Sequence, residues 1–404
     1  MTALKTLPKS VIVLGFVSLF MDISSEMIHG LLPVFLVSVL AASATTIGFI
    51  EGIGEGLSLI TKLFSGTLSD WFGKRKIFIV SGYLLATLSK PLFAIASGIG
   101  LVFAARSLDR VGKGLRGAPR DALIADLVRS EQRGSAYGLR QSMDSFGAVI
   151  GPLLAVALMS LTGDNYRALF WIATIPGFIA VALVLFFVDE PAARFAKPVE
   201  LSLQRGELLQ LGKLYWMILG IGLIFTLARF SEAFLLLRAS NLGLAPAYVP
   251  FILVLMSLAY ALGAYPAGRL TDYLPKHQPD NIGKSALLIA GLLVLIIADL
   301  VLALANSVFM VAIGALLWGL HLALTQGLFA TLLADACKPS LRGTAFGLYG
   351  LASGIAVIIA SVFAGWLWDQ FGAAITFYSG AVFASAALAG IVILHQQQKI
   401  NFKV

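Results

Sequence analysis

Long apolar runs separated by short polar turns dominate the pattern of this chain. Each run is about 20 residues long, the length that a helix needs to cross a hydrocarbon core of about 30 Å. The pattern therefore predicts an all-α integral membrane protein. Twelve membrane-spanning helices are predicted, near residues 10–40, 44–69, 77–97, 99–121, 137–161, 166–188, 213–237, 247–271, 284–305, 308–334, 344–367 and 373–395.

One long polar segment, "DEPAARFAKPVELSLQRGELLQLG", interrupts this pattern between the sixth and seventh runs. It divides the predicted helices six and six. We therefore predict an N-terminal six-helix bundle over 1–188, a cytoplasmic linker over 189–212 and a C-terminal six-helix bundle over 213–404.

The composition supports a membrane location. Of the 404 residues, 59% are hydrophobic and 12% are charged, whereas a soluble domain carries roughly 25% charged residues. The net charge is +8, but basic residues of membrane proteins collect in cytoplasmic loops, so no nucleic-acid partner is expected. The single cysteine, Cys337, excludes an intramolecular disulfide and a cysteine-rich metal site. No small-residue cleavage site precedes the first apolar run, so we expect this helix to be retained.

The loops differ in charge from one side of the predicted bundle to the other. Those after even-numbered spans hold most of the basic residues, while the opposite loops hold little beyond Arg167 and Arg238. Because cytoplasmic loops carry the excess of lysine and arginine, both termini should be cytoplasmic. The expected location is a cell membrane, crossed many times, with a bacterial inner membrane as the expected compartment.

The two halves repeat each other. "DLVRSEQRGSAYG" at 126–138 matches "DACKPSLRGTAFG" at 335–347, after the fourth span of each half, and "GTLSD" at 66–70 matches "GRLTD" at 268–272. A two-fold repeat of six-span units indicates two pseudo-symmetric bundles and a transporter with its site between them near the midplane. The matched polar residues are Asp126, Arg133, Asp335 and Arg342, together with Gly268 and Asp272.

The stretch "GTLSDWFGKRK" at 66–76 resembles the motif between the second and third spans of the major facilitator superfamily. In it Gly66 allows close helix approach, Asp70 can cap a neighbouring helix and Gly73 permits the tight turn. Trp71 replaces the usual basic residue, which weakens the charge latch that the resemblance implies. The basic residues that complete the motif are Lys74 and Arg75.

Two further stretches extend this resemblance. The fourth span is similar to the family motif Arg-x2-Gln-Gly-x-Gly, with Arg106 in the position that the family links to proton coupling. "GAVIGP", which includes Gly147, Gly151 and Pro152, resembles a fifth-span motif of antiporters. The resemblance covers nearly the whole chain and is closest to the proton-coupled drug and metabolite antiporters. It implies a twelve-helix secondary transporter.

A basic stripe runs along the fourth span. At 100° per residue, Arg106, Arg110 and Lys113 point in nearly one direction. A cation in mid-bilayer costs from about 2.5 to more than 10 kcal/mol, so we expect these three to line the central cavity; a purely structural ion-pair network is the alternative. Arg116 and Arg120 lie nearer the cytoplasmic end, where snorkelling would explain them.

Acidic partners for this stripe lie on the first span. Asp22, Glu26 and His29 follow each other at i, i+4 and i+7, on one helix face. Their depth, at about 1.5 Å per residue, predicts Glu26–Arg106 and Asp22–Arg110 pairs. A carboxylate whose proton affinity depends on whether substrate occupies its arginine would couple transport to protons. A fixed buried pair that holds two helices together is the alternative.

Other polar residues of the spans are weaker candidates. Glu51 and Glu55, spaced i, i+4, face either the cavity or neighbouring spans, and Lys90 is a candidate partner for one of the acids. Arg229 and Glu232 contact substrate or satisfy each other. His321 is a substrate contact or an interior histidine with satisfied hydrogen bonds.

The repeat places different residue types in the fourth and tenth spans. Asp109, Arg110 and Lys113 correspond to Trp318, Gly319 and Leu322. The first half therefore carries the charge, and the second half offers an aromatic and apolar wall. A ligand with an anionic end and a less polar body would suit this difference.

These patterns predict a secondary active transporter of a small organic anion, working by alternating access and coupled to protons through Asp22, Glu26 and Arg106. The fifth-span motif favours export, and uptake stays open. Alternatives are a multidrug/proton antiporter for lipophilic cations and a transporter of transition metals or metal chelates with Asp22, Glu26 and His29 as ligands. No metal site is otherwise expected.

No enzyme is predicted, because the chain has no nucleophile elbow, HExxH or phosphate-loop motif. No cofactor is expected, and the coupling ion should be H⁺. The expected partners are the substrate and the lipid bilayer, with the chain a monomer.

Overall fold

The computed structural model describes residues 7–191, 210–273, 282–325, 327–338 and 341–401. These residues form helices joined by short turns and contain no β-strand. Two 3₁₀ turns lie at Ser130–Gln132 and Pro246–Tyr248. The α-helices are α1 (Lys9–His29), α2 (Leu32–Ser38), α3 (Ala44–Phe72), α4 (Arg75–Ile95), α5 (Ile99–Leu127), α6 (Arg133–Thr162), α7 (Tyr166–Phe187), α8 (Lys213–Ala228), α9 (Ala233–Asn241), α10 (Phe251–Tyr273), α11 (Ile282–Leu304), α12 (Val308–Thr325), α13 (Leu328–Asp335), α14 (Arg342–Phe371) and α15 (Ala373–Asn401).

The all-α prediction is confirmed. An α-helix satisfies its own backbone hydrogen bonds, which lipid cannot do, and every predicted span overlaps one helix or two consecutive helices. Ten helical segments of the described chain are long and apolar enough to cross a membrane. Outside that set, α3 and α5 are 29 residues long each and carry the charged residues of the second and fourth spans. The count of twelve crossings stays a prediction.

Three predicted spans are interrupted. The first breaks between α1 and α2, the seventh between α8 and α9, and the tenth between α12 and α13, where Gly327 has φ +80°. The edges also differ from the prediction, since α5 continues to Leu127 and α6 already begins at Arg133. A helix continues past the apolar zone where its polar residues reach water, so hydropathy underestimates its length.

The chain divides into two compact units. The first comprises residues 7–42, 53–191 and 245–254, and the second comprises residues 43–52 and the described residues of 210–244 and 255–401. The predicted linker lies mostly outside the described residues. Two short segments, around the start of α3 and the turn before α10, are assigned to the unit formed mainly by the other half of the chain.

Helix pairing repeats between the units. In the first unit α4 packs on α5 and α7, and α1 packs on α6 and α7. In the second unit α11 packs on α12 and α15, and α8 packs on α14 and α15. The same relative spans therefore meet in each unit. The repeat in the sequence also recurs, because Arg133 and Arg342 are the first residues of α6 and α14.

Small residues bring α4 and α5 into backbone contact. A Cβ atom on Gly82 would lie 2.7 Å from the Gly112 carbonyl oxygen, and one on Gly112 would lie 2.6 Å from the Gly82 oxygen. Helices in lipid associate by such close packing. Toward the ends of the same helices the core is apolar, with Ile79 and Leu123 almost completely buried. This close approach sets the distance at which polar side chains of α4 and α5 meet.

Candidate substrate and coupling site

Asp109 of α5 is the centre of a buried group of charges in the first unit. Its Oδ1 accepts a hydrogen bond from Lys90 Nζ of α4 at 2.6 Å. Its Oδ2 lies 3.8 Å from Arg106 Nη1 and 4.0 Å from Arg110 Nε. All four residues are at most 5% exposed. Lys90 Nζ also donates to Ser25 Oγ of α1 at 3.0 Å. One carboxylate therefore holds three cations.

The two arginines have further partners. Arg106 Nη2 donates to Nδ1 of His29 at 2.7 Å. Because an arginine only donates, His29 must accept at Nδ1 and cannot carry a proton there. Arg110 Nη1 lies 3.0 Å from Glu55 Oε1 of α3. We call these six residues the charged cluster: His29, Glu55, Lys90, Arg106, Asp109 and Arg110.

The Glu26–Arg106 and Asp22–Arg110 pairs predicted from depth are wrong. Arg106 contacts His29 instead, which lies three residues beyond Glu26, or about 4.5 Å further along a helix. Arg110 meets Glu55, because α3 lies against this part of α5: a Cβ on Gly54 would lie 3.1 Å from Arg110 Cγ. Depth along the helix placed Glu26 within one turn of the residue that contacts Arg106, but it did not identify the partner of either arginine. Lys90 likewise pairs with Asp109 and not with an acid of α1 or α3.

Asp22 and Glu26, the α1 acids, are half-buried. No hydrogen bond or ion pair within 4 Å joins either carboxylate to a residue that the structure describes. Lys113 is a cation whose charge acts on both of them. Lys113 is itself exposed and has no hydrogen bond or ion pair in the same part of the chain. Two carboxylates and one ammonium group therefore remain available to protons, water or a ligand.

The glycines of "GAVIGP" hold the α1 acids in place. A Cβ on Gly147 would lie 2.7 Å from Asp22 Cβ, and one on Gly151 would lie 2.8 Å from Glu26 Cβ. Both glycines are buried, as is Pro152 within α6. The motif thus packs α6 against the part of α1 that carries the acids.

The residues of the basic stripe of α5 lie in different surroundings. Arg106 and Arg110 belong to the ion-pair network that was the alternative to a cavity lining, whereas Lys113 is exposed. Arg116 and Arg120 do not snorkel. The Arg116 guanidinium lies 4.7 Å from the Tyr83 ring centre, and Arg120 Nη1 donates to a serine hydroxyl of α1 at 2.8 Å. Both side chains therefore pack against residues of neighbouring helices in the first unit.

The loop motif forms a compact latch. Arg75 Nη2 lies 3.1 Å from Asp70 Oδ1, and Arg75 Nη1 lies 2.5 Å from Asp126 Oδ2. The backbone N–H groups of Arg75 and Lys76 both donate to Oε1 of Glu190. Asp70 of the loop motif and Asp126 of the repeated motif thus share one arginine.

The remaining motif residues occupy the turn and the matching positions of the repeat. Gly73 has φ +64°, a left-handed conformation that favours glycine. Gly66 lies against α5, Lys74 is exposed, and Trp71 is 60% exposed where the family has a basic residue. In the second unit Gly268 lies in α10, Asp335 ends α13, and the side chain of Asp272 lies outside the described residues.

The second unit contains a cavity of about 410 Å³ that is partly open to its surroundings. Two of the predicted residues, Arg229 and Glu232, line it. They do not form an ion pair with each other in the described chain, because α8 ends at Ala228 and the i, i+3 spacing is no longer helical. The Arg229 guanidinium lies 5.3 Å from the Phe225 ring centre. The full lining is Phe225, Arg229, Glu232, Leu322, Thr325, Gly327, Phe329 and Tyr349.

His321 and Asp299 are completely buried in the second unit. The His321 ring meets Phe225 edge-on at 6.0 Å, and its Nδ1 lies 3.4 Å from the Thr325 hydroxyl. Asp299 Oδ1 accepts from Trp318 Nε1 at 3.2 Å. Asp299 stands out in the sequence as a polar residue of an apolar span, but the sequence alone does not predict its partner Trp318.

Other contributing residues were also missed. Arg140 and Asp144 of α6 form a 2.6 Å ion pair at i, i+4, a spacing that the sequence displays openly. The cavity side chains Phe329 and Tyr349 gave no signal, because single aromatic residues are common in spans. Glu51, unlike these residues, was a candidate from the sequence; it is buried at 1% exposure and has a partner of its own.

The geometry of the described residues does not support the hypothesis of a metal transporter. No three histidine, cysteine or carboxylate side chains of the described residues come together as ligands for an ion. Arg106 also occupies Nδ1 of His29, the candidate nitrogen ligand.

Comparisons with known proteins agree on the kind of molecule. The profile of the Major Facilitator Superfamily matches residues 14–238 and 217–399. An uncharacterized MFS-type transporter of Methanocaldococcus jannaschii is 32% identical over 397 residues, covering 96% of this chain and 95% of its relative. The multidrug resistance protein MdtH of Proteus mirabilis is 24% identical over 366 residues, which cover 90% of this chain and 86% of MdtH. A crystal structure of a POT family transporter with a thioalcohol-conjugated peptide superposes with a TM-score of 0.78 at 13% identity, and the superposition covers 98% of this chain and 99% of that transporter.

Proposed function

Since the chain belongs to the Major Facilitator Superfamily and is a multi-pass membrane transporter, we propose that it carries a small organic anion by alternating access, driven by protons. Its family and structural relatives are transporters, which agrees with a chain that is not an enzyme. With no ATP-binding motif in the sequence, an ion gradient would supply the energy for uphill movement.

The observation that carries the proposal is the charge balance among the charged cluster, Lys113 and the α1 acids. The charged cluster holds three cations and two carboxylates, with His29 accepting a hydrogen bond as a neutral ring. Lys113 adds another positive charge, so these seven residues carry a surplus of two. Within this set the α1 acids, Asp22 and Glu26, balance the surplus only when both are ionised. When both are protonated, the set has two uncompensated positive charges, which would attract an anion.

Protonation and anion binding therefore strengthen each other. Linkage requires that if a proton raises the affinity for the anion, the anion raises the affinity for the proton by the same factor. Both then move in the same direction, and an inward proton gradient drives uptake. The expectation of export came from the fifth-span motif. The packing of Gly147 and Gly151 against α1 gives that motif a structural reason independent of direction.

Binding of sulfonates at different pH values tests the proposal, because their own charge stays constant. Affinity of the purified protein for 1,2-ethanedisulfonate should rise as the pH falls, with about a tenfold change per pH unit for each coupled proton. Asp22→Asn and Glu26→Gln should flatten this dependence and reduce sulfonate flux into proteoliposomes driven by a pH gradient. Glu131→Gln, at an exposed carboxylate outside the site, is the matched control. Unchanged pH dependence and flux in both site variants would refute the coupling.

A multidrug/proton antiporter is the second candidate. It is favoured by the similarity to MdtH and by the two acids that lack a partner in the described chain. A lipophilic cation would compete with protons for Asp22 and Glu26. Binding of tetraphenylphosphonium, whose charge is also constant, would then weaken as the pH falls. The sign of the pH dependence separates the two functions in one type of measurement.

A further inference from the structure

The cavity of the second unit has no part in the charge balance of α5. At about 410 Å³ it falls in the range of pockets that hold small molecules, about 300–1,000 Å³. Three of its eight lining residues are aromatic: Phe225, Phe329 and Tyr349. A cavity of this size and composition can accommodate an organic molecule and not merely an ion.

Two interrupted helices meet at this cavity. Arg229 and Glu232 belong to the break between α8 and α9, and Thr325 and Gly327 flank the break between α12 and α13. Irregular backbone at membrane depth is tolerated only where protein surrounds it or where it lines a cavity. Transporters place substrate sites at such interruptions. The first turn of α13 also has no side-chain cap at Gly327, so its N–H groups add a partial positive charge.

Arg229 is the charged group that this cavity leaves available. Its guanidinium lies over the ring of Phe225, which stacks on Phe329 with ring centres 4.9 Å apart. This contact with the ring face does not use the N–H groups of the guanidinium. Over the described ranges no hydrogen bond or ion pair satisfies these donors. Glu232, by contrast, already has an interaction of its own.

We propose that this cavity binds a small organic acid with a flat apolar body. The guanidinium of Arg229 binds the carboxylate or sulfonate through two parallel hydrogen bonds, the strongest arrangement for such a pair. The body of the ligand lies against Phe329 and Tyr349. An inorganic anion would leave this aromatic wall in contact with water. The inference rests on the proposed function in one respect only, that such a ligand is also the transported substrate.

Equilibrium binding of 1-naphthoate to the purified full-length protein tests the site. We expect the protein to bind 1-naphthoate more tightly than acetate, and not to bind 1-naphthylmethylammonium. Arg229→Gln should weaken 1-naphthoate binding about tenfold or more, which is what loss of one charge-assisted bidentate contact implies. Phe329→Leu should weaken binding of 1-naphthoate but not of acetate. Arg129→Gln, at an exposed arginine of the first unit, is the control and should leave binding unchanged.

Each outcome decides the inference. Loss of binding in Arg229→Gln, with melting temperature and gel-filtration profile retained, supports it. If that variant does not fold, Arg229→Lys replaces it. This change should weaken binding less, because lysine keeps the positive charge but cannot form the bidentate contact. Wild-type protein that fails to bind 1-naphthoate, or an Arg229 variant that binds it normally, overturns the site. Sulfonate flux driven by a pH gradient tests the proposed function separately.

Discussion

Replacement of Gly147 by alanine should force α6 away from α1 at the level of Asp22. The added Cβ would lie 2.7 Å from Asp22 Cβ and 2.9 Å from the carbonyl oxygen of Leu19. Carbon atoms in contact are about 3.5–4.0 Å apart, so the helices must separate by roughly 1 Å. Overpacking of this kind costs about 1–3 kcal/mol, while alanine in place of a helical glycine gains about 0.5–1 kcal/mol. The net loss in free energy of unfolding should be about 0–2.5 kcal/mol, with a middle value of about 1 kcal/mol.

Gly138 provides the matched control, because it lies in the same helix and a Cβ added there meets no heavy atom within 4 Å. Gly138→Ala should therefore be neutral or slightly stabilising. Melting of the purified variants, followed by tryptophan fluorescence, should place Gly147→Ala below the wild type and Gly138→Ala at or above it. Proton-driven flux should fall only in Gly147→Ala, since only that change displaces Asp22. Equal melting temperatures of the two variants would refute the packing argument.

Three other predictions concern buried bonds and the single thiol. Lys90→Met should cost about 3–5 kcal/mol of unfolding free energy, because the buried Asp109 loses its nearest cation. Adding Asp109→Leu should recover part of the melting temperature, and a further drop in the double variant would contradict the ion-pair argument. Trp318→Phe should cost about 1–3 kcal/mol, because Asp299 loses its indole donor; an unchanged melting temperature would argue against that bond. Burial raises the pKa of the Cys337 thiol, and only a thiolate attacks, so maleimide labelling should be slow at neutral pH and accelerate with rising pH. Labelling by an impermeant maleimide in intact cells would contradict the predicted cytoplasmic side.

Helices could be predicted from the sequence and their contacts could not. The bilayer fixes the length and composition of a span, so hydropathy alone locates it. The helix interruptions could not be predicted, because a break of a few residues, as at Arg229 or Gly327, leaves the mean hydropathy of an apolar run unchanged. Depth along the bilayer is one coordinate out of three. It set Glu26 opposite Arg106, but the rotation of α1 and its length bring His29 there instead.

A comparison of the two halves explains why one half carries the charge. Lys90 and Asp109 are 19 residues apart, and so are Asp299 and Trp318. The repeat aligns Asp109 with Trp318, so it also aligns Lys90 with Asp299.

Each pair links the third and fourth spans of its half through one buried hydrogen bond, between α4 and α5 or between α11 and α12. In the first half the acid lies on the fourth span, where neighbouring arginines and a lysine can gather around it. In the second half the acid lies on the third span, its donor is a neutral indole, and no further cation is required. The position of the bond is therefore common to both halves, because helix packing fixes it. Its chemistry can differ between the halves, so positive charge is concentrated on α5 while α12 carries no lysine, arginine or acid.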